Sequence, residues 1–229
     1  MTLAVLHLDD HLVAIDKPPG LLVHRTQLAA QENEAALQLL RDQLGRPVWP
    51  VHRLDRGTSG VLLFALSPEV ASVLGAMFEQ GQMRKRYLAL VRGWPDADEG
   101  LIDHPLARDP EKPSAGQPLL PAQTRWRVLR RDAWPIATDP RFATTRVALV
   151  EAEPLQGRRH QIRRHLKHIA HPILGDATHG KGPLNRAVAA HLGITRLWLH
   201  AQRLELAHPV GGSPLRLESP PDAAWPAWG

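Results

Sequence analysis

Residues 52–69 read His-Arg-Leu-Asp-Arg-Gly-Thr-Ser-Gly-Val-Leu-Leu-Phe-Ala-Leu-Ser-Pro-Glu, and the fold is decided here. Val61 to Leu66 is a continuous apolar run, the pattern of a strand buried on both faces. Ser67-Pro68-Glu69 then opens a helix, with Pro at its first position, that is predicted to run to about Gln80. The preceding nonapeptide, 52–60, sets one carboxylate, Asp55, between Arg53 and Arg56, with His52 close by. It ends in small residues, Gly57, Thr58, Ser59 and Gly60, which permit tight turning and close approach of a ligand. Nearby positive charge favours the ionised form of an acid. Asp55 therefore suits a nucleophile or electrostatic stabiliser better than a proton donor, and the cations suit a polyanionic substrate. The competing reading is a surface turn with ion pairs.

Working outward, Leu3 to Leu8 and Leu12 to Ile15 read as a hairpin that ends in the turn Lys17-Pro-Pro-Gly20. Residues 32–44 are helix formers with Ala36, Leu37, Leu40 and Leu44 spaced for one buried face. Met83 to Arg92 is a strand, and 95–122 is a Pro/Gly-rich loop excursion carrying at most short strands. Thr124 to Leu129, Thr144 to Glu151 and Leu197 to Ala207 read as strands, Arg158 to Ile169 as a helix. From Ser219 the Pro/Trp-rich tail reads as irregular. Helices interspersed with strands joined by short turns predict an α+β fold with a mixed, mainly antiparallel sheet. One catalytic domain over 1–218 is expected, followed by the tail 219–229.

The 229 residues carry 28 Lys plus Arg against 23 Asp plus Glu, a net charge of +5 with the 13 His neutral, which points to an acidic partner. There is no Cys, which excludes disulfides, Cys-ligated zinc, iron–sulfur clusters and thiol nucleophiles. The first ten residues lack the basic and apolar regions of a signal peptide, and no stretch reaches membrane-spanning length. A cytoplasmic protein, with no membrane contact and no obligate protein partner, is expected.

Two further constellations carry chemistry. In Gly157-Arg-Arg-His-Gln-Ile-Arg-Arg-His-Leu-Lys-His-Ile169 the apolar stripe Ile162, Leu166, Ile169 leaves Arg159, Arg163 and Lys167 in a second row. Like charges at that spacing repel unless phosphates or a buried carboxylate lie against them. Arg163 borders the stripe, so it is positioned to enter a cleft and meet an acid such as Asp55. In Arg84-Lys85-Arg86-Tyr87 the chain's one tyrosine follows three cations, a combination suited to stacking on a base beside phosphates. His160, His165, His168 and His171 invite a metal-dependent nuclease reading, but the cationic row opposes a divalent ion and no metal is expected. No phosphate-binding Gly-x-x-x-x-Gly-Lys loop and no Gly-x-Ser-x-Gly elbow is present.

The nonapeptide resembles the signature of the RluA-type pseudouridine synthases. Lys17-Pro-Pro-Gly20, Lys85-Arg-Tyr-Leu-Ala-Leu-Val-Arg-Gly93, Gly157-Arg-Arg-His-Gln-Ile-Arg163 and His171-Pro-Ile-Leu-Gly-Asp176 resemble the family's other motifs, in the family's order. The resemblance implies an α+β domain around a long mixed sheet with its active site in a central cleft. It also implies Asp55 as catalytic aspartate, Tyr87 as the tyrosine that stacks on the target base, and Arg163 as the aspartate's basic partner. Arg53 matches the arginine that helps fill the gap left by a flipped nucleotide. With Arg56, Lys85, Arg86, Arg159 and Lys167 it makes up the expected RNA-contacting set. No cofactor is implied, and no extra N-terminal S4-type domain is expected before the motif at residue 17. Arg164-His-Leu-Lys-His168, Asp176-Ala-Thr-His-Gly180 and Leu199-His-Ala201 most resemble the branch that modifies uridine 65 of tRNA. Ribosomal RNA as substrate, or a non-catalytic RNA-binding module on the same framework, are the alternatives.

Overall fold

The computed structural model describes residues 1–24, 35–138 and 141–226. In chain order the elements begin with β1 (Ala4–Leu8), β2 (Leu12–Lys17), α1 (Ala36–Leu44), β3 (Trp49–Pro50), β4 (Ser59–Ala65) and α2 (Pro68–Glu79). Next come β5 (Arg84–Arg92), β6 (Glu99–Asp103), β7 (Leu106–Ala107), β8 (Leu119–Leu120), β9 (Gln123–Trp134) and β10 (Thr145–Pro154). The last are α3 (Gln161–His168), α4 (Gly182–Leu192), β11 (Leu199–Ala207) and β12 (Pro214–Glu218). They divide into two compact units, one made of residues 1–85 and 200–221, the other of 86–199 and 222–229.

In the first unit the strands run β1-β2-β4-β11, with β3 also on β4 and β12 on β11. All seven residues of β4 are buried, as a continuous apolar run between two neighbours requires. β2 pairs antiparallel with β4, whereas β11 pairs parallel with it, His200 opposite Ser59 and Ala201 opposite Gly60. A Cβ on Gly60, at φ +106, would lie 2.2 Å from the Ala201 carbonyl oxygen, so only glycine admits this approach. α2 begins as expected: the Ser67 side chain accepts the Val70 N–H and Pro68 fills the first turn. Its Val70 and Leu74 join Leu12, Val61, Leu63, Leu204 and Leu217 in one core. β12 closes a hairpin on β11 across Gly211-Gly212, both at positive φ, and lies beyond the strands read from the sequence. Of the helix expected over 32–44, residues 32–34 lie outside the described residues, Ala35 is the extended residue before the helix, and α1 accounts for 36–44.

In the second unit the order is β5-β10-β9-β6, all antiparallel. β9 and β10 are longer than the alternation predicts because they pair with each other along almost their whole length, from Thr145 opposite Trp134 to Pro154 opposite Thr124. The excursion 95–122 carries short strands only, as anticipated. α4 has no counterpart in the sequence reading, although Pro183 near its start, Leu184 and Val188 one turn apart, and Gly193 at its C-terminal cap are its signals. The tail has no regular element through residue 226, yet it is tied down. Asp222 pairs with the buried Arg196 at 2.5 Å, and Trp225 sits edge-on to Trp198 at 5.6 Å between ring centres. Parallel β4–β11 beside antiparallel pairs such as β2–β4 and β9–β10, with four helices among the described residues, gives the expected mixed α+β class.

Candidate active site

Asp55 occupies a turn closed by the Thr58 N–H donating to the Asp55 carbonyl at 3.0 Å. The turn is laced to its surroundings on three sides. The Arg56 Nε–H donates to the Gly20 carbonyl at 3.0 Å, and the Gly20 N–H returns a bond to the Arg56 carbonyl at 2.9 Å. Beneath them Lys17, fully buried, donates through Nζ to the carbonyls of Pro18 (2.9 Å), Leu21 (2.9 Å) and Arg56 (3.2 Å). An ammonium has three donors, and these three carbonyls offset part of the cost of burying it. Lys17-Pro-Pro-Gly20 is thus the cradle of the Asp55 turn.

On the side before Asp55, the His52 ring stacks on Phe78 at 4.6 Å, and its Nε2 accepts the Leu63 N–H at 3.0 Å. Crowding by protein, followed by the charge of Lys85, pushes the His52 pKa down to about 3, so the acceptor lone pair is retained at neutral pH. On the side after it, buried His200 holds buried Ser59. The His200 Nε2–H donates to the Ser219 carbonyl at 2.8 Å, which leaves Nδ1 to accept the Ser59 hydroxyl at 2.9 Å. Arg53 is exposed beside the turn, and Arg56 is exposed above it.

Tyr87 lies early in β5 opposite Ala152, partly buried and packed against the core of the second unit. Lys85 and Arg86 are partly buried, Arg84 exposed. Burial lowers the Lys85 pKa.

Arg163 sits on the buried face of α3 with Ile162 and Leu166. Its Nε and Nη2 donate to the two carboxylate oxygens of Asp176 at 2.8 and 2.9 Å, a bidentate buried pair. The buried carboxylate that the cationic spacing demands is therefore present, in Asp176. The single row of cations is corrected: α3 starts at Gln161, after His160 at φ +55, so the four-residue period does not reach back to Arg159. Arg159 instead pairs with Glu111, and with Asp109 at 3.4 Å, while Lys167 is exposed.

The four histidines each find a protein partner. His165, buried, donates from Nε2 to the His104 carbonyl (3.0 Å) and accepts the Thr124 hydroxyl at Nδ1 (2.8 Å); burial lowers its pKa. His171 Nδ1 donates to the Arg92 carbonyl at 2.9 Å, His168 stacks on His104, and His160 meets His179 at 3.1 Å. Burial pushes the His179 pKa down to about 4 against the pull of Asp176. Among the described residues no cluster of three or more such side chains is arranged to hold a metal ion. No helix among them is long and apolar enough to cross a membrane.

Residues 11–168 match the model of the family described as RNA pseudouridylate synthase. The chain belongs to this family. Curated relatives named tRNA pseudouridine synthase C agree over 97% of the chain. That of Vibrio cholerae is 44% identical with 93% of its length covered. That of Salmonella typhi is 46% identical with 87% covered. That of Pectobacterium carotovorum is 46% identical, and the chain spans 60% of its length. Among solved structures, human RNA Pseudouridylate Synthase Domain Containing 1 superposes with a TM-score of 0.74 at 25% identity, covering 98% of this chain and 88% of that one. Domain Containing 4 gives 0.71 at 28%, covering 96% and 89%. The sequence reading quoted Asp176 and His200 only within motifs, without a role for either, and did not name Asn185; all three lie after the family match ends at residue 168.

Proposed function

We propose that this pseudouridine synthase acts in the cytoplasm on tRNA, converting uridine 65 to pseudouridine without a cofactor. The observation that carries the reading is the agreement with the Vibrio cholerae tRNA pseudouridine synthase C over 97% of this chain and 93% of the relative. The reaction breaks the bond from ribose C1′ to uracil N1 and joins C1′ to C5; the C5 proton is lost and N1 gains one, with no net redox change. Cleavage develops positive charge on the sugar, which a carboxylate beside C1′ stabilises or attacks. Asp55 is that carboxylate in this reading, Tyr87 the platform under the base, and Arg163 the aspartate's cationic partner. Residues 1–218 carry the reaction. The uridine must leave its helix, at a cost of about a few kcal/mol, which phosphate contacts offset.

Exposed Arg53, Arg56 and Lys167 are the readiest phosphate ligands, with Lys85 and Arg86 beside Tyr87. Arg159 joins them only by exchanging Asp109 and Glu111 for phosphate.

The test is incubation of the purified chain with tRNA and with ribosomal RNA, followed by mapping of pseudouridine by carbodiimide-blocked primer extension. A stop at tRNA position 65 that vanishes in Asp55→Asn, with RNA affinity retained, is expected. Modification of ribosomal RNA alone would overturn the substrate, and unchanged turnover in Asp55→Asn would overturn the role of Asp55.

A further inference from the structure

Asp176 does more than receive Arg163. Its carboxylate is 1% exposed and takes four donors: the two guanidinium N–H groups and the backbone N–H groups of Thr178 and His179, both at 2.9 Å to Oδ1. A carboxylate so used fixes its guanidinium only as firmly as its own main chain is fixed. That main chain has few choices. Gly175 is at φ +74, and a Cβ there would lie 1.7 Å from the Arg196 carbonyl oxygen. The Gly180 N–H returns to the Asp176 carbonyl at 3.0 Å, and a Cβ on Gly180 would lie 2.4 Å from that same oxygen.

One side chain closes the device. Asn185, half-buried on the first turn of α4, accepts the Gly175 N–H at Oδ1 and donates from Nδ2 to the Asp176 carbonyl, both at 2.9 Å. The two bonds grip the backbone on either side of the Asp176 N–Cα bond. The amide is thereby oriented without ambiguity: its acceptor faces an N–H and its donor faces a carbonyl. Asn185 is the one side-chain amide on α4, and both of its polar atoms go to this grip.

From this geometry we infer that Asn185 is a positioning residue for the isomerisation, acting through the Gly175–Asp176 backbone and the Asp176 carboxylate to hold the guanidinium of Arg163. The inference rests on the reading of Arg163 as part of the catalytic machinery. Small displacements of a positioned group lower turnover by up to about a hundredfold. The Asn185 side chain is two residue links from Arg163, so its removal changes kcat and leaves KM for RNA nearly untouched.

The experiment is a double-mutant cycle of Asn185→Ala with Arg163→Lys, on full-length chain and tRNA, with thermal melts of every variant. Asn185→Ala alone is expected to lower kcat about tenfold, with KM within about twofold. In the Arg163→Lys background, where the bidentate grip is already lost, the same change is expected to lower kcat less than about twofold. An equal tenfold loss in both backgrounds would make Asn185 a general stabiliser and overturn the inference, as would an unchanged kcat in Asn185→Ala. Near-normal kcat in Arg163→Lys and Arg163→Ala would instead remove the catalytic role of Arg163 itself, a different failure. Should Asn185→Ala not fold, Asn185→Asp keeps the volume and the acceptor for Gly175 while losing the donor to Asp176. It is expected to show the same dependence on Arg163, and its failure to do so overturns the inference equally.

Discussion

Replacing Asp176 by Asn isolates the bond between Arg163 and its carboxylate. The amide is nearly isosteric. With its oxygen in the place of Oδ1 it keeps the bonds from Arg163 Nη2, Thr178 and His179, but its nitrogen then confronts the Arg163 Nε–H across 2.8 Å, donor against donor. A buried guanidinium loses the carboxylate that holds it bidentately. Removing one member of a buried pair costs about 3–5 kcal/mol. For a chain of this size each kcal/mol lowers the melting midpoint by about 2–4 °C, so the expected fall is about 6–20 °C at pH 7.

Acidity supplies a second reading of the same pair. Burial alone would raise the Asp176 pKa, but the bonds and charge of Arg163 and the two backbone donors outweigh it and hold the carboxyl below the usual carboxylate range. Its contribution is therefore fully present above about pH 4 and is lost as the pH falls through the folded-state value. Melts followed by circular dichroism from pH 7 downward should show parent and variant converging below about pH 4. A loss under about 1 kcal/mol at pH 7, or a gap that does not narrow in acid, would refute the reasoning, because the pair would then count for no more than a surface contact.

Gly60→Ala forces a Cβ to within 2.2 Å of a backbone oxygen at φ +106 and should cost about 2–4 kcal/mol by urea titration; a neutral substitution would mean that β4 and β11 part without penalty. His52 is neutral in the fold down to about pH 3 but titrates near 6.5 when unfolded, so the unfolded chain binds the extra proton and stability rises with pH between those values. His52→Phe keeps the stacking and removes the titration, and urea midpoints across that window should then rise less steeply than in the parent. Trp225→Ala removes a ring that is 9% exposed and should cost about 3 kcal/mol; a melting midpoint moved by less than about 1 °C would show that the tail is not part of the core.

Much of the framework was legible. Val61 to Leu66 announced a strand buried on both faces, and Ser67-Pro68 announced the helix after it, because both signals sit in consecutive residues. The isolation of Asp55 among cations was legible for the same reason. α4 escaped because its apolar pair, Leu184 and Val188, covers only one turn between glycines that read as loop. Arg159 was misread because one left-handed residue, His160, moves the helix start three positions, from Arg158 to Gln161, and nothing in the side chains marks it.

The sequence by itself determined the strand and helix periods, the charge balance, the one carboxylate worth suspecting and, through its ordered motifs, the family. Only the tertiary structure decided what each buried polar group answers to: Lys17 to the Arg56 carbonyl 39 residues away, Ser59 to His200 141 residues away, Arg163 to Asp176 from another segment. Periodicity and local charge are properties of neighbours along the chain, whereas a buried donor takes whichever acceptor chain reversal brings within about 3 Å, and that distance is not written in any local pattern.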